Sequence, residues 1–326
     1  MRNASLNAAG IAKNDEFYTC YADIEKELNQ YAKYFKGKII YCNCDDHAGI
    51  SLGTPKSNFL KYFADNFEAF GIKKVIATHY EKNGSSNMYI LDKDNTGDGV
   101  ICSEDIEEIP LKNNGDFRSE ECIKLLQQAD IVVTNPPFSL FREYVAQLME
   151  YHKKFIIIGN DNCRTYKEIF PLIQNNKMWC GYNHVKKFIK PNGETQQFGN
   201  VGWYTNLSNS RRNEKIDTGK KYYGYEHMYP KYDNYDAIEV SKTSDIPMDY
   251  YGVMGVPITF IDKYNPEQFD IIGITDRQNT SGLRTKKYTE ADDARFNDLN
   301  ARSVLKTETG YCAVYARILI RRKKDN

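Results

Sequence analysis

Residues 135–138, with the sequence Asn-Pro-Pro-Phe, combine an amide side chain and a main-chain carbonyl that can hold a polar ligand with an aromatic ring that can pack on it. They follow residues 131–134, four β-branched residues that predict a short strand buried on both faces. The strand must end at Asn135, because neither proline can donate a main-chain N–H to a neighbouring strand. The Asn135 side chain and the Pro136 carbonyl are therefore held on a rigid turn. In an open α/β sheet, ligands bind at this carboxyl end of the strands.

Asn-Pro is also a common turn dipeptide, so a plain strand-ending turn is the alternative interpretation. With proline at about 5% of residues, a polar-Pro-Pro-aromatic tetrapeptide should occur by chance in roughly one chain per hundred of this length. The segment resembles the (Asp/Asn/Ser)-Pro-Pro-(Tyr/Phe) signature of methyltransferases that use S-adenosylmethionine. That signature is associated with methyl transfer to exocyclic or amide nitrogens.

The elements around this turn alternate between helices and strands. Apolar residues at helical spacing predict helices over 23–35, 59–70, 120–128, 140–149 and 166–175, and Ser139 is predicted to cap the fourth. Short, mostly apolar runs predict strands at 38–42, 74–78, 131–134, 155–158, 177–181 and 201–205, with a hairpin of 88–91 and 100–102. Strand, helix and strand with short joints predict right-handed parallel crossovers. The fold class is therefore α/β, with a mostly parallel, doubly wound sheet covered by helices on both faces.

The pattern changes after residue 206 to tyrosine, asparagine, glycine and charged residues. Isolated strands are predicted at 237–240, 256–261, 269–274 and 314–320. We therefore predict two domains, a larger one at 1–206 and a smaller, partly β one at 207–326.

Composition indicates a globular protein without a membrane span. Of 326 residues, 41% are hydrophobic and 27% are charged. The absence of a signal-peptide pattern and of a run of about 18 apolar residues predicts a cytoplasmic location. The eight cysteines form no Cys-x-x-Cys framework, which is typical of reduced cytosolic thiols. Cys42 and Cys44 are spaced too closely for an ordinary zinc site, so no metal is expected.

Charge is unevenly distributed although the formal net charge is zero. Residues 1–150 hold 16 Lys+Arg and 23 Asp+Glu, which leaves 44 − 16 = 28 basic and 44 − 23 = 21 acidic residues for the remainder. Within the basic remainder, residues 184–232 interleave lysine and arginine with tyrosine and tryptophan. Such a stretch suits phosphate contacts and base stacking, and a solvated loop surface is the alternative.

Several blocks, taken in order, resemble one family, the EcoRI-type adenine-N6 DNA methyltransferases of restriction-modification systems. The matching segments are Asp-Glu-Phe-Tyr-Thr at 15–19, Tyr-Cys-Asn-Cys-Asp-Asp at 41–46, Gly-Asp-Phe-Arg-Ser at 115–119, the segment 130–144 around Asn-Pro-Pro-Phe, 229–238 and 252–260. The resemblance implies a Rossmann-like class I S-adenosylmethionine-dependent methyltransferase fold. It makes 1–206 the catalytic and cofactor-binding domain and 207–326 an α+β target-recognition region.

The resemblance also implies a catalytic role for Asn135, Pro136, Pro137 and Phe138. The exocyclic amine of adenine is a poor nucleophile because its lone pair is delocalised into the ring. Two acceptors on its N–H bonds, the Asn135 side-chain oxygen and the Pro136 carbonyl, would free that lone pair. Phe138 can stack on the base. Positioning for in-line transfer then supplies much of the catalysis, and no cysteine has to react.

The cofactor is expected to be S-adenosyl-L-methionine, held by residues that match the family's blocks. These residues are Phe17, Tyr18, Thr19, Asn43, Asp45, Asp46 and Asp116. Asp116 matches the acid that accepts a bond from the cofactor's adenine. The alternative is that Asp45, Asp46 and Asp116 simply cap the segments that follow them. The usual Phe-x-Gly-x-Gly loop is replaced by Cys-Asp-Asp-His-Ala-Gly, which leaves the individual contacts open.

An adenine within a duplex must be flipped out to reach such a pocket. The expected partner is therefore double-stranded DNA, contacted by Lys186, Lys187, Arg211, Arg212, Arg277 and Arg284. We expect a monomer, and a cognate restriction endonuclease that acts on the same site without a stable complex. The alternatives are methylation of RNA adenine or of a protein glutamine, and a non-catalytic DNA-binding protein of the same fold.

Overall fold

The structure, a computed structural model, describes residues 18–44, 57–82, 84, 86–189, 194–277, 282–292 and 296–324. The chain divides into two compact units. Unit 1 comprises residues 1–170 and 178–209, and unit 2 comprises residues 171–177 and 210–326. The functional assignment of two domains, at 1–206 and 207–326, stays a prediction. None of the described helices is both long and apolar enough to cross a membrane.

The described ranges contain eight α-helices. They are α1 Tyr21–Leu28, α2 Ala32–Phe35, α3 Asn58–Asp65, α4 Phe67–Phe70, α5 Glu120–Gln128, α6 Phe141–Glu150, α7 Phe170–Gln174 and α8 Phe296–Leu299. The predicted helices at 23–35 and 59–70 are each broken once, by the 3₁₀ turn Asn29–Tyr31 and at Asn66. Gly71 ends α4 with φ +62°, a left-handed conformation that favours glycine. The predicted helix at 166–175 is shorter than expected and begins at Phe170.

Unit 1 contains eleven strands among its described residues. They are β1 Tyr18–Thr19, β2 Ile39–Cys42, β3 Lys74–Thr78, β4 Asn87–Leu91, β5 Glu107–Pro110, β6 Ile131–Thr134, β7 Lys154–Asn160, β8 Trp179–His184, β9 Lys187–Ile189, β10 Thr195–Gln197 and β11 Val201–Thr205. Eight of them form one sheet in the order β5-β4-β3-β2-β6-β7-β11-β8. A separate small sheet has the order β1-β9-β10 and is antiparallel.

The large sheet is mixed, so the prediction of a mostly parallel sheet is wrong in its outer part. The four central strands β3, β2, β6 and β7 are parallel, whereas β4, β5, β11 and β8 join antiparallel. Parallel neighbours need a crossover, usually a helix, and no α-helix is described between β3 and β5. The predicted parallel pairing of β2 and β3 is confirmed.

The hairpin partner of β4 also differs from the prediction. β4 pairs with residues 107–110 rather than with 100–102. The loop between β4 and β5 is instead held by main-chain hydrogen bonds to two carboxylates. Asp94 accepts main-chain N–H bonds from Gly97 and Gly99, and Asp105 accepts one from Cys102 at 2.9 Å. Residues 100–102 are thereby kept out of the sheet.

Helices pack on both faces of the large sheet. On one face, Ile40, Cys42, Val133 and Ile156 join a core cluster with α1 and α3. Side chains alternate along a strand, so Tyr204, next to Trp203 of that cluster, points to the other face. There it meets Phe141 of α6 edge-to-face, with ring centroids 5.9 Å apart.

Ser139 does not cap the helix that follows the Asn-Pro-Pro-Phe turn, so that prediction is wrong. It lies inside a 3₁₀ turn, Phe138–Leu140, and α6 begins at Phe141 after an N-cap residue, Leu140, that makes no side-chain cap bond. Pro137 has φ −55° and ψ 127°, so the chain is still extended at this residue and turns into a 3₁₀ conformation only from Phe138 onwards.

Unit 2 contains a four-stranded sheet of order β12-β13-β17-β14 and a two-stranded β15-β16 hairpin. These strands are β12 Ile238–Glu239, β13 Val253–Pro257, β14 Phe269–Ile274, β15 Val304–Thr307, β16 Gly310–Ala313 and β17 Arg317–Arg322. The predicted strand at 256–261 is wrong beyond residue 257, where proline ends pairing and the 3₁₀ turn Ile258–Lys263 follows. The strand predicted at 314–320 lies at 317–322, and that at 269–274 is confirmed.

Candidate active site

The Asn-Pro-Pro-Phe turn lies at the carboxyl end of β6, in the parallel centre of the sheet. All four residues of β6 are buried, and β6 runs parallel to β2 on one side and to β7 on the other. Pro136 is buried, whereas Asn135, Pro137 and Phe138 are half-buried. The turn thus sits where open α/β sheets bind ligands, with part of its surface accessible.

A buried network ties this turn to the end of β2. The Thr134 hydroxyl, one residue before Asn135, donates to the main-chain carbonyl of Asn43. The Tyr144 hydroxyl donates to Asn43 Oδ1, and both side chains are almost completely buried. With Oδ1 occupied in this way, the amide nitrogen Nδ2 of Asn43 is buried and has no hydrogen-bond partner among the described residues. Asn43 therefore presents a fixed donor beside β6.

The loop at 115–119 joins the same network through aromatic packing. The buried Phe117 ring lies edge-to-face against Tyr144, with centroids 5.1 Å apart. The main-chain carbonyl of Phe117 accepts a hydrogen bond from Gln147 Nε2 at 3.1 Å. Ser119 caps α5 by accepting from the Cys122 N–H at 3.2 Å. Tyr144 therefore contacts both Asn43 and the loop that carries Asp116.

Asp116 forms a two-pronged ion pair with a neighbour on its own loop. Arg118 donates from Nε to Oδ1 at 2.9 Å and from Nη2 to Oδ2 at 2.7 Å. These bonds lower the pKa of Asp116 below its ordinary value, although partial burial opposes them. Arg118 also reaches Glu143 of α6 at 3.3 Å. Asp116 is held ionised as an acceptor, with its side chain 24% exposed.

Part of the N-terminal block is placed next to Phe138 by the small sheet. Thr19 of β1 stands opposite Phe188 of β9, and the Phe188 ring meets the Phe138 ring edge-to-face at 6.4 Å. The Thr19 carbonyl accepts from Asn58 Nδ2 at 2.8 Å. Its hydroxyl is buried and has no hydrogen-bond partner in the part of the chain that the structure describes.

The structure thus joins four of the predicted segments, at Thr19, Asn43, Asp116 and Asn135. Tyr18 is half-buried in β1, beside Thr19. Phe17, Asp45 and Asp46 lie outside the described residues. No group of three or more His, Cys, Asp or Glu in the described ranges could hold a metal ion, and none of the eight cysteines is in a disulfide.

Sequence reasoning missed Thr134, Tyr144 and Gln147. Tyr144 fits the apolar stripe of α6, and Thr134 fits the strand pattern, so their periodicity predicts core positions and nothing more. The only available signal is that a buried tyrosine hydroxyl needs a partner, which a sequence cannot supply.

The predicted DNA contacts differ in accessibility. Lys186 and Lys187 are exposed at and beside β9 in unit 1, the strand that carries Phe188. Arg277 in unit 2 is exposed, with one bond from its guanidinium to the Asn297 carbonyl at 3.4 Å. Arg211 is half-buried in the 3₁₀ turn Arg211–Asn213.

The other two arginines make internal bonds. Arg284 donates to the Tyr235 hydroxyl at 2.7 Å and to the Asp276 carbonyl, and its guanidinium lies over the Tyr235 ring. Arg212 donates to Asn176 Oδ1 at 2.6 Å, and burial lowers its pKa. Both side chains therefore make hydrogen bonds within unit 2.

An Asn-Pro-Pro-Phe turn that ends the central strand of an α/β sheet defines the class of methyltransferases that act on amino nitrogens. The sequence model of one such family, described as adenine-specific methyltransferase EcoRI, matches residues 5–323, and the chain belongs to that family. It is 46% identical over 297 residues to the type II methyltransferase M.EcoRI of Escherichia coli, covering 83% of this chain and 89% of the relative. It is 40% identical over 286 residues to the type II methyltransferase M.MpnI of Mycoplasma pneumoniae, covering 82% and 84%.

No solved structure matches the chain. The family assignment makes the chain an adenine-specific DNA methyltransferase of the restriction-modification type, and S-adenosylmethionine is the methyl donor of such an enzyme.

Proposed function

We propose that the enzyme methylates N6 of an adenine flipped out of duplex DNA at one specific sequence, as the modification arm of a restriction-modification system. The observation that carries this proposal is the bond from Thr134 to Asn43, which couples the Asn-Pro-Pro-Phe turn to the polar end of β2. A catalytic turn and a donor for the cofactor are thereby held on adjacent parallel strands. The fold is then of the Rossmann-like class I type, with residues 1–206 catalytic and 207–326 recognising the target.

Two acceptors activate the target amine in this proposal. The Asn135 side-chain oxygen and the Pro136 carbonyl each accept one N–H bond, which draws the nitrogen towards tetrahedral geometry and frees its lone pair. Pro136 and Pro137 fix the backbone, so these acceptors need no reorganisation. Phe138, braced edge-to-face by Phe188, stacks on the flipped base.

The methyl donor supplies an already activated methyl group, so the protein's task is to position it. The buried polar atoms fit this task. Asn43 Nδ2 and the Thr19 hydroxyl are two buried groups that have no partner among the described residues, and buried polar groups are otherwise almost always satisfied. In our proposal they bind the amino-acid and ribose part, Tyr18 closes over it, and Asp116 accepts from its adenine. Phe17, Asp45 and Asp46 complete the set by their match to the family blocks.

Lys186, Lys187, Arg211, Arg212, Arg277 and Arg284 remain our candidates for the DNA contacts. Lys186, Lys187 and Arg277 are exposed, so their side chains can approach phosphates from solvent. We further propose that the enzyme acts as a monomer in the cytoplasm, where bacterial DNA lies. Its cognate endonuclease would act on the same site without a stable complex.

Binding of S-adenosylhomocysteine followed by methylation of duplex DNA tests the proposal. We expect a thermal shift with S-adenosylhomocysteine, and transfer of labelled methyl groups from S-adenosylmethionine to duplex DNA. Label in RNA or in protein glutamine, with none in DNA, would refute it.

Replacing Tyr144 by phenylalanine should weaken cofactor binding. Without the hydroxyl, the Asn43 amide is free to turn and Nδ2 is no longer fixed as a donor. A lost hydrogen bond of this kind is worth about 0.5–1.5 kcal/mol, so the KM for S-adenosylmethionine should rise several-fold at an unchanged affinity for DNA. The matched control is Tyr62→Phe, which removes another buried tyrosine bond to an asparagine, Asn29 at 2.7 Å, away from this network. Equal effects of both variants on the KM would contradict the role given to Tyr144.

Replacing Arg118 by alanine should make cofactor binding more sensitive to acid. Asp116 must be ionised to accept a bond, and Arg118 keeps its pKa below the ordinary value. For a depressed carboxyl pKa, the stabilisation is present at neutral pH and is lost as the pH falls through the folded-state pKa. In the variant this loss should occur at higher pH. Titration of S-adenosylhomocysteine affinity checks this, with Glu143→Gln as the control that leaves the Asp116 pair intact.

A further inference from the structure

Residues 220–228 of unit 2, here the tyrosine segment, present an unusual concentration of exposed apolar side chains. Tyr223 is 63% exposed, Tyr225 52% and Met228 57%. Seven large hydrophobic side chains of the described residues are strongly exposed, and three of them lie within this short stretch. Clustered exposure of this kind marks interaction surfaces, whereas single exposed side chains are normal.

The backbone of the tyrosine segment is anchored on both sides. The Tyr222 N–H donates to Asp249 Oδ1 at 2.6 Å, and the Lys220 carbonyl accepts from the Met248 N–H at 2.9 Å. The Tyr222 ring packs against Tyr250, with centroids 4.3 Å apart. At the other end, the buried Tyr229 donates from its hydroxyl to the Asp245 carbonyl at 3.0 Å.

The exposed side chains are therefore directed outwards by a held backbone. Gly224 has φ +87°, which turns the chain between Tyr223 and Tyr225. Its N–H donates to Glu226 Oε1 at 3.1 Å, and a 3₁₀ turn, Glu226–Met228, follows. The inward residues, Tyr222 and Tyr229, supply the anchoring. The cost of ordering the outer rings on binding is reduced because their backbone is already fixed.

The charges of the tyrosine segment indicate the chemistry of its partner. Lys220 and Lys221 are exposed, and neither forms an ion pair with a described residue. The acid of the segment, Glu226, is used within it as the acceptor for Gly224. A surface of outward tyrosines beside unneutralised lysines matches a nucleic acid, whose bases offer flat faces and whose backbone is anionic.

We propose that the tyrosine segment is a base-stacking contact to duplex DNA, in which Tyr223, Tyr225 and Met228 meet bases and Lys220 and Lys221 meet phosphates. Apolar and aromatic side chains can wedge between base pairs where a protein deforms the duplex. The inference rests on the proposed function, since that function supplies the DNA and requires one base to leave the stack.

The test compares full-length variants for binding to a 30-base-pair duplex that carries the methylation site mapped by sequencing. Stacking of a base on an aromatic ring is worth about 1–3 kcal/mol, which corresponds to about 5- to 150-fold in affinity. We expect the double variant Tyr223→Ala/Tyr225→Ala to bind at least about tenfold more weakly, with an unchanged salt dependence. Tyr223→Phe/Tyr225→Phe keeps the rings and should bind like the wild type. Tyr315→Ala removes the most exposed tyrosine outside the segment, at 74%, and should also bind like the wild type.

Replacing the two lysines tests the phosphate contacts independently. Lys220→Ala/Lys221→Ala should make the plot of log affinity against log salt shallower by about 1.8, or 0.9 per phosphate contact.

Wild-type affinity in the tyrosine-to-alanine variant, or an equal loss in Tyr315→Ala, would overturn the inference. So would a changed oligomeric state by light scattering with unchanged DNA binding, because the segment would then join copies of the chain. A thermal shift with S-adenosylhomocysteine verifies folding of each variant. A wild type that methylates no DNA would instead refute the proposed function, so the two failures are distinguishable.

Discussion

Replacing Asn135 by alanine is expected to lower the rate of methyl transfer to DNA by about 10²- to 10³-fold, the usual effect of removing one preorganised polar group from a reacting centre. The variant keeps both prolines and β6, so the turn itself should persist. The Pro136 carbonyl then remains as the only proposed acceptor for the amine. The loss should appear in the single-turnover rate with labelled S-adenosylmethionine, measured at saturating enzyme.

The cofactor and the fold should be unaffected by this change. A thermal shift with S-adenosylhomocysteine close to that of the wild type would separate loss of chemistry from loss of folding. Asn87→Ala is a suitable control, because Asn87 is an asparagine of β4 that bonds to Glu108 at the edge of the same sheet. A variant at Asn135 with an undiminished single-turnover rate would exclude this residue from the chemistry.

Replacing Gly115 by alanine is expected to impair both stability and cofactor binding. Gly115 has φ +75°, and a Cβ there would overlap the His79 carbonyl oxygen and lie 2.9 Å from the Ser86 hydroxyl oxygen. A left-handed conformation costs an alanine about 1–2 kcal/mol, and overpacking adds about 1–3 kcal/mol. The loop that carries Asp116 must therefore move. Urea unfolding and the KM for S-adenosylmethionine measure the two effects.

Gly97→Ala separates backbone strain from the clash. Gly97 has φ +79°, but a Cβ there would meet nothing within 4 Å. Its variant should lose only the strain energy and should keep the wild-type KM for S-adenosylmethionine. If both variants raise this KM equally, the close approach of Gly115 to His79 does not position the loop.

Residue pattern was sufficient to predict several strands of the large sheet. The strands at 74–78, 131–134 and 201–205 have the predicted bounds, because each is a short run rich in β-branched or aromatic residues. The direction of the outer strands was not predictable, since it depends on which neighbour each strand pairs with. The loop between β4 and β5 shows the same limit, because its course is set by the carboxylates of Asp94 and Asp105.

The site was predictable as a set of segments and not as a network. The sequence indicated Asn43, Asp116 and Asn135, all of which lie in or beside the ends of predicted elements. It could not indicate that Tyr144 bridges two of those segments, because a buried tyrosine on an apolar helix face has the pattern of a core residue. The bond from Tyr144 to Asn43 joins residues that are 101 positions apart in the sequence, and it depends on side-chain geometry that the local pattern does not contain.

The most direct test of the central claim is single-molecule sequencing of DNA from cells that express the wild-type chain, beside cells that express Asn135→Ala. We predict N6-methyladenine at one short sequence motif in the first culture and its absence in the second. Unmodified adenine in both cultures, with folded protein present in each, would contradict the assignment of this chain as a site-specific DNA adenine methyltransferase.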